Sequence, residues 1–289
     1  MAKGYVIYNP LSGDGKSEEK AKLLPLVLDH DLEFYDMTRI TNYAAFFGGM
    51  DKGDCLVIVG GDGTLNRFIN DTDGMKLPQE ILYLSSGSGN DFARAINANE
   101  TPVVITPYLK NLPSVEVNGK RYHFINGVGF GIDGYCCQTG DELKKISGKK
   151  VNYAGIAIKG LLHSFAPRNA KVTVDGKKYT YQKVWLAPTM YGYYYGGGMI
   201  PTPQQDRKTG KLSLMLFHGA GRLRTLCIFP GLFKGEHVNH TKMVAVHTGQ
   251  EITVEFDRPT PLQIDGETIL DVTSYTARSA VRNPIEVHA

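Results

Sequence analysis

One unit, an apolar strand followed by a glycine-rich turn and a helix, recurs three times in the first hundred residues. "GYVIYN" leads into "PLSGDG" and the helical "KSEEKAKLLPLVLDH". "CLVIV" leads into "GGDG" and "TLNRFIND", and "ILYLS" leads into "SGSG" and "NDFARAIN". Short, wholly apolar strands alternating with helices need burial on both faces, which predicts a mostly parallel sheet between two helical layers. In such sheets the strand ends and their following loops line up on one edge, where ligands bind. Three glycine turns on one edge make it a phosphate-site candidate, because helix N-termini and side-chain-free backbone can approach an anion closely.

After Pro107 the texture changes to strand-like segments such as "SVEVNGKRYHFINGVG", "AKVTVDGKKYTYQKVWLAP" and "MVAVHTGQEITVEF". Their Asn-Gly, Asp-Gly and Thr-Gly turns are those of antiparallel hairpins. One helical patch, roughly "GDELKKISGKKVNYAGIAIKGLLHSF", interrupts them. The chain of 289 residues exceeds one comfortable core. The expected architecture is an α/β domain over 1–115, with a three-layer, mostly parallel sheet, and a β-rich sandwich over 116–275. The tail 276–289 is expected to return to the first domain.

Composition excludes several classes. Hydrophobic residues make up 42% and charged residues 21%, an ordinary globular balance, and the net charge of +3 is too small to argue for nucleic acid. Four cysteines without C-x-x-C pairing are neither a zinc framework nor a disulfide scaffold, which suits a reducing, cytoplasmic setting. No stretch approaches the roughly 18 apolar residues of a membrane span.

"NPLSGDGKS", residues 9–17, nearly matches a P-loop, but Pro10 stands where the first glycine belongs and has no N–H to offer. The sharper signal is "GGDGTLNRFIN", residues 60–70. Gly60, Gly61 and Gly63 permit close approach, Thr64 is placed as N-cap, and Asp62 would repel phosphate unless a cation lay between them. That points to Mg²⁺ bridging carboxylate and phosphate, although a tight turn with a solvated Asp has the same local pattern. "IDGE", residues 264–267, offers Asp265 and Glu267 around a glycine. They are candidates for general base work, and equally an Asp-Gly hairpin turn.

In order and spacing these strings resemble the diacylglycerol kinase catalytic-domain family of lipid kinases. "YNPLSGDGK", "GGDGTLN", "GSGNDFAR", "FINGVGFGID", "YYYGGGM" and "IDGE" each resemble a family segment, and together they cover nearly the whole chain. The resemblance implies an ATP- and Mg²⁺-dependent transfer of the γ-phosphoryl group to the hydroxyl of a diacylglycerol-like lipid. It implies nucleotide contacts at Asn9, Ser12, Gly13, Thr38, Gly60, Gly61, Asp62, Gly63, Thr64, Asn66, Ser88 and Asn90. It further implies metal and phosphate near Asp62, an inter-domain network of Asp91, Arg94 and Asp133, and Glu267 as general base with Asp265 second. Ser88 stands where the family usually has Thr and keeps the hydroxyl. Thr209, before Gly210, stands where the family often has a carboxylate of a structural Mg²⁺ site, so that metal is not assigned, although Asp206 could substitute.

The expected partners are a lipid alcohol, transient peripheral contact with a membrane surface and a second copy of the chain. An NAD kinase relative shares the Gly-Gly-Asp-Gly core, and a nucleotide- or lipid-binding protein without kinase activity is a further alternative. Weaker candidates are His237, His240 and His247 as metal ligands, and the basic cluster Lys144, Lys145, Lys149 and Lys150 before apolar "YAGIAIKGLL" as a lipid-headgroup contact.

Overall fold

The computed structural model describes residues 2–98, 101–147 and 151–280. They form two compact units, the first ending at Asn111 and the second beginning at Leu112.

The first unit runs β1 (Lys3–Tyr8), α1 (Lys16–Lys22), β2 (Asp31–Asp36), α2 (Tyr43–Gly48), β3 (Cys55–Gly60), α3 (Asp62–Asp71), β4 (Glu80–Ser85), α4 (Asp91–Ala95), β5 (Val103–Val104) and α5 (Thr106–Leu109). The sheet order is β2-β1-β3-β4-β5, with the first four strands parallel and β5 antiparallel at one edge. This is the α/β architecture the repeated unit predicts. Alternate strand residues face opposite sides. Val57 and Val59 pack with Val6, Ala21 and Leu24 on one face. On the other, Tyr5 meets Phe46 at 5.8 Å between ring centroids, and Tyr43 meets Phe68 at 5.7 Å. Full burial of rings such as Phe68 stabilises by about 2–3 kcal/mol each. Strand order runs outward from β1 to β2 on one side and from β3 to β4 on the other. The space between the ends of β1 and β3 is therefore the topological switch point, where sheets of this kind bind ligands.

The second unit runs β6 (Ser114–Val117), β7 (Lys120–His123), β8 (Gly127–Gly131), α6 (Ile132–Ser147), α7 (Tyr153–Lys159), β9 (Arg168–Val174), β10 (Lys177–Val184), β11 (Leu186–Met190), β12 (Leu212–Phe217), α8 (Arg222–Ile228), β13 (Val244–Gly249), β14 (Glu251–Ile264) and β15 (Glu267–Arg278). All its strand pairings are antiparallel among the described residues. The expected β-rich sandwich arises from one continuous sheet of ten strands. Its long strand β14 shifts register between Glu255 and Thr260, so its first half pairs with β9 and its last three residues pair with β8. Such a bulge bends the strand. The sheet core contains Phe130, Leu214, Val254 and Tyr275, with Phe130 stacked on Phe256 at 4.6 Å.

Asn118-Gly119, Asp175-Gly176 and Asp265-Gly266 all have positive φ at both residues, as two-residue hairpin turns of this hand require. Thr248-Gly249 departs from expectation. It ends β13, which pairs with β12 and not with the following β14, so no hairpin forms there. Helix α6 starts at Ile132, ahead of the expected patch at Gly140, because glycines and short side chains in "IDGYCCQTG" mask its helical period. Residues 276–278 remain in β15, paired with β6 in the second unit, and the rest of the expected returning tail from 281 onward lies outside the described residues.

Candidate functional site

In the first unit three turns meet at the switch point. Asn9 ends β1; its Oδ1 accepts the Leu11 N–H at 3.0 Å, and its Nδ2 donates to Thr64 Oγ1 at 3.1 Å. Ser12 Oγ accepts the Gly61 N–H at 3.0 Å, tying the first turn to the second. Gly13 has φ +61°, and a methyl there would run into Ser86 O. A methyl on Gly87 would sit 2.6 Å from the Gly61 Cα. The three turns therefore approach closely through backbone, with the Ser12 hydroxyl as the hydrogen-bonded link between the first and the second. Behind it Ser17 Oγ and Ser86 Oγ share a hydrogen bond of 2.6 Å, and Lys20 Nζ donates to Ser85 O at 3.0 Å.

Thr64 is not the N-cap of α3. Gly61, in extended conformation, takes that position, and the helix begins at Asp62. Thr64 sits in the first turn with its side chain against the Gly60 Cα, where a methyl would collide. The Asp62 carboxylate lies at the N-terminus of α4. Its Oδ2 accepts the Asp91 N–H and its Oδ1 the Phe92 N–H, both at 2.9 Å. Free helix N–H groups and the helix dipole favour a negative charge there, which explains an Asp among glycines without any ligand. Asn90 precedes α4 in left-handed conformation, φ 51° and ψ 41°. Its Oδ1 is buried without a hydrogen-bond partner, beside the Gly87 Cα. An unsatisfied buried oxygen costs about 1–3 kcal/mol, so Asn90 is poised for a partner the chain does not supply.

The remaining first-unit candidates spread around this edge. Thr38 follows β2 and bonds Asp36 Oδ1 through its N–H at 2.9 Å and its hydroxyl at 2.6 Å. The Thr38 hydroxyl bond is the main reason the Asp36 carboxyl lies below its usual range. Ser88 is exposed on the third turn, Gly63 and buried Asn66 lie in α3, Asp91 is buried at the start of α4, and Arg94 is exposed on its last turn.

The second-unit candidates centre on the turn between β14 and β15. Asp265 Oδ2 accepts the Ile125 N–H at 2.6 Å, and Oδ1 accepts the N–H groups of Asn126 and Gly127 at 2.8 and 2.9 Å. The hairpin reading of "IDGE" holds, and its aspartate also anchors the segment entering β8. Both Asp265 oxygens are taken by backbone donors, and Glu267, the other carboxylate of this turn, is exposed. The turn is braced again by Gln263 Oε1, which accepts the Gly266 N–H at 2.9 Å. Asp133, in the first turn of α6, is buried; its Oδ1 accepts the Gly134 N–H at 2.8 Å. Burial pushes its carboxyl up to about 6, opposed by the Gly134 N–H and the Gln263 carboxamide.

Several side chains at this end escaped the sequence reading. The Arg207 guanidinium lies over the Tyr191 ring at 4.8 Å from its centroid. A methyl on Gly192 would sit 2.8 Å from Arg207 Nη2 and 3.0 Å from Asn126 Oδ1, so glycine makes room for that cation beside Asn126. Gln263 and Thr268 form a cross-strand pair, and Thr268 Oγ1 donates to Asp141 Oδ2 at 3.1 Å. Only the α6 period, with Asp133, Cys137 and Asp141 four residues apart, carried a signal for this.

The weaker candidates find structural uses. Asp206 caps a short 3-10 turn through the Lys208 N–H at 2.9 Å, and Thr209 Oγ1 donates to Asp206 O at 2.8 Å. His237 is buried with Nε2 2.8 Å from Pro201 O, burial lowering its pKa, while His247 Nε2 lies 2.6 Å from Tyr181 OH. Among the described residues no three His, Cys, Asp or Glu side chains gather as a metal site. Lys144 and Lys145 are exposed on α6, while Lys149 and Lys150 lie outside the described residues. No described helix is long and apolar enough to cross a membrane.

Comparison with known proteins divides the chain at the same change of texture. Residues 3–115 match the diacylglycerol kinase catalytic domain, and residues 126–281 match the YegS C-terminal NAD kinase beta sandwich-like domain, which covers more than half of the chain. The diacylglycerol kinase of Bacillus subtilis strain 168 is 24% identical over 283 residues, covering 92% of this chain and 90% of that protein. A crystal structure of a diacylglycerol kinase from Bacillus anthracis strain Sterne shares the fold, with a TM-score of 0.62 and 19% identity, covering 96% of this chain and 94% of that one.

Proposed function

We propose, from the premise that this chain belongs to the family joining a diacylglycerol kinase catalytic domain to a YegS-type C-terminal domain, that it phosphorylates the hydroxyl of a diacylglycerol-like lipid at the expense of ATP. The observation that carries this reading is the close meeting of three glycine turns at the switch point, where a methyl on Gly13 would run into Ser86 O and one on Gly87 into the Gly61 Cα. A polyphosphate needs close approach to backbone N–H groups, which turns built from glycine allow.

ATP supplies the phosphoryl group. In this reading Asn9, Ser12, Gly13, Gly60, Gly61, Gly63, Thr64, Asn66, Ser88 and Asn90 shape its site, with Thr38 at its margin. Asp62 holds α4 against the second turn, and its fixed negative charge would favour a Mg²⁺ ion beside the phosphates, where the metal would neutralise charge. Glu267 accepts the proton of the lipid hydroxyl as the hydroxyl oxygen attacks the γ-phosphorus, the bond to the bridging oxygen breaks and ADP leaves, while Asp265 fixes the turn and takes no proton. Asp91, Arg94 and Asp133 are proposed to couple the two domains. Exposed Leu143, Lys144, Lys145 and Ile146 support a peripheral contact with an anionic membrane surface, from which the lipid is drawn.

The test is incubation of the protein with Mg²⁺, ATP and vesicles carrying single lipid alcohols, with mass spectrometry of the products. A lipid phosphate formed from one of them is expected. Micromolar ATP binding by calorimetry with no product from any diacylglycerol, sphingoid or polyprenol acceptor would overturn the enzyme and leave a binding protein.

A further inference from the structure

Helix α6 packs against both strands of the hairpin carrying Glu267. One residue pair below the turn, Gln263 of β14 stands opposite Thr268 of β15. Cross-strand partners point to the same face of a sheet, and both of these reach carboxylates of α6. Thr268 Oγ1 donates to Asp141 Oδ2 at 3.1 Å. Gln263 lies over Gly129, its register partner on β8. A methyl at Gly129 would collide with Asp133 Oδ2 and sit 3.2 Å from Gln263 Nε2, so the two side chains share the space that glycine leaves open. Asp133 and Asp141 are eight residues apart, roughly 12 Å along one helix face, so α6 grips the hairpin at two points.

The orientation of the Gln263 carboxamide follows from its partners. Gly266 N–H is a donor, so the oxygen must face it, at 2.9 Å. The NH₂ group then lies on the side of Asp133, an acceptor whose buried Oδ2 meets no donor at full hydrogen-bond geometry. Gln263 itself is buried. The chain of contacts runs from α6 through Asp133 and Gln263 to the peptide immediately before Glu267, and the direction in which β15 leaves the turn depends on that peptide.

We propose that Gln263, oriented by Asp133, is a positioning residue for Glu267, setting the Gly266 peptide and with it the direction of the base. The proposal rests on the reading of Glu267 as the base of a lipid kinase, but the tie itself can be measured without turnover. Asp133 acts through Gln263, and neither needs to touch substrate. The tie also gives buried Asp133 a use within its own unit.

The experiment is an exchange of acid and amide, read by kinetics and by the Gly266 backbone amide resonance. Gln263→Glu places two carboxylates side by side. It is expected to lower kcat at least tenfold with the KM values for ATP and lipid within about twofold, and to shift the Gly266 amide. Asp133→Asn alone is expected to shift the same resonance with a smaller loss of kcat. The double variant Gln263→Glu with Asp133→Asn restores a donor facing an acceptor in the reverse sense, and is expected to recover most of the loss, a coupling that independent sites do not show.

An unchanged Gly266 amide in Asp133→Asn overturns the tie. An unchanged kcat in an active Gln263→Glu variant, or losses in the double variant that simply add, overturn the positioning role. If Gln263→Glu alone does not fold, the folded double variant compared with Asp133→Asn gives the same decision through kcat and the Gly266 amide. A wild-type protein without kinase activity whose Gly266 amide still responds to both single changes fails the kinase reading while keeping the tie.

Discussion

The two halves of the candidate machinery solve opposite problems. In the first unit the switch point is prepared by leaving side chains out: Gly13, Gly61 and Gly87 bring three turns into backbone contact. In the second unit the turn at 264–267 is prepared by side-chain anchors: Asp265 accepts three N–H groups, Gln263 accepts a fourth, and Asp141 takes the Thr268 hydroxyl. A polyphosphate is long and anionic and needs access to many backbone donors. A base is one carboxylate that must point correctly, so in the proposed reading the turn that carries it is fixed by its neighbours. The same residue type nevertheless serves alike in the two places. Asp62 and Asp265 both stand beside glycines, and both bind backbone N–H groups of another segment.

The comparison breaks most visibly at the base. Glu267→Gln removes the proton acceptor while keeping the turn, and the expected loss is about 10²- to 10⁴-fold in kcat with ATP affinity unchanged; steady-state kinetics beside calorimetry checks it. The meeting of the glycine turns breaks by addition. Gly13→Ala meets Ser86 O and must hold φ +61°, so a loss of ~3 kcal/mol in urea unfolding of the first unit and weakened ATP binding are expected.

A third change concerns pH. Burial raises the Asp133 carboxyl from 3.8 to about 6, so the folded protein holds a proton that the unfolded chain releases. Its contribution is fully present below about pH 4 and is lost as pH rises through about 6. The difference corresponds to at most about 3 kcal/mol. Cys136, Cys137 and Tyr275 face the same carboxyl and have their own pKa values raised, mainly by burial, so they are neutral in this window. Asp133→Asn is expected to flatten the stability profile between pH 4 and 6, measured by urea midpoints, and to narrow the gap to wild type at low pH.

The smallest expected effect tests the likeness of the two aspartates. Asp62→Asn retains an acceptor for α4 and should cost only about 1 kcal/mol of stability. A much larger drop in kcat than in stability would show that the charge of Asp62 serves the phosphates, whereas equal small effects would confine it to the helix terminus.

Much of the fold was legible because its signals are local. Wholly apolar "CLVIV" and "ILYLS" have to be strands buried on both faces, and Asn-Gly and Asp-Gly accept the positive φ of tight hairpins. The edge strand "DLEFYD" lacks that apolar run, and the start of α6 hides in a stretch of glycines and cysteines, so neither announced itself. At the site, the glycines of 60–63 and the carboxylates of 265–267 were readable as chemistry, but their division of labour was not. Nothing within "IDGE" says that Asp265 binds N–H groups 138 to 140 residues earlier in the chain.

What the sequence determined by itself is therefore the class of each layer, the position of the glycine turns and the family of chemistry, because strand periodicity, turn conformations and short motifs depend on neighbours along the chain. What only the tertiary structure decided is which polar groups are already spent. Asp62 on α4, Asp265 on the segment before β8 and Gln263 on Gly266 are pairings across space. A buried donor or acceptor must find a partner wherever the fold brings one, and that partner is set by tertiary contacts and not by neighbours along the chain.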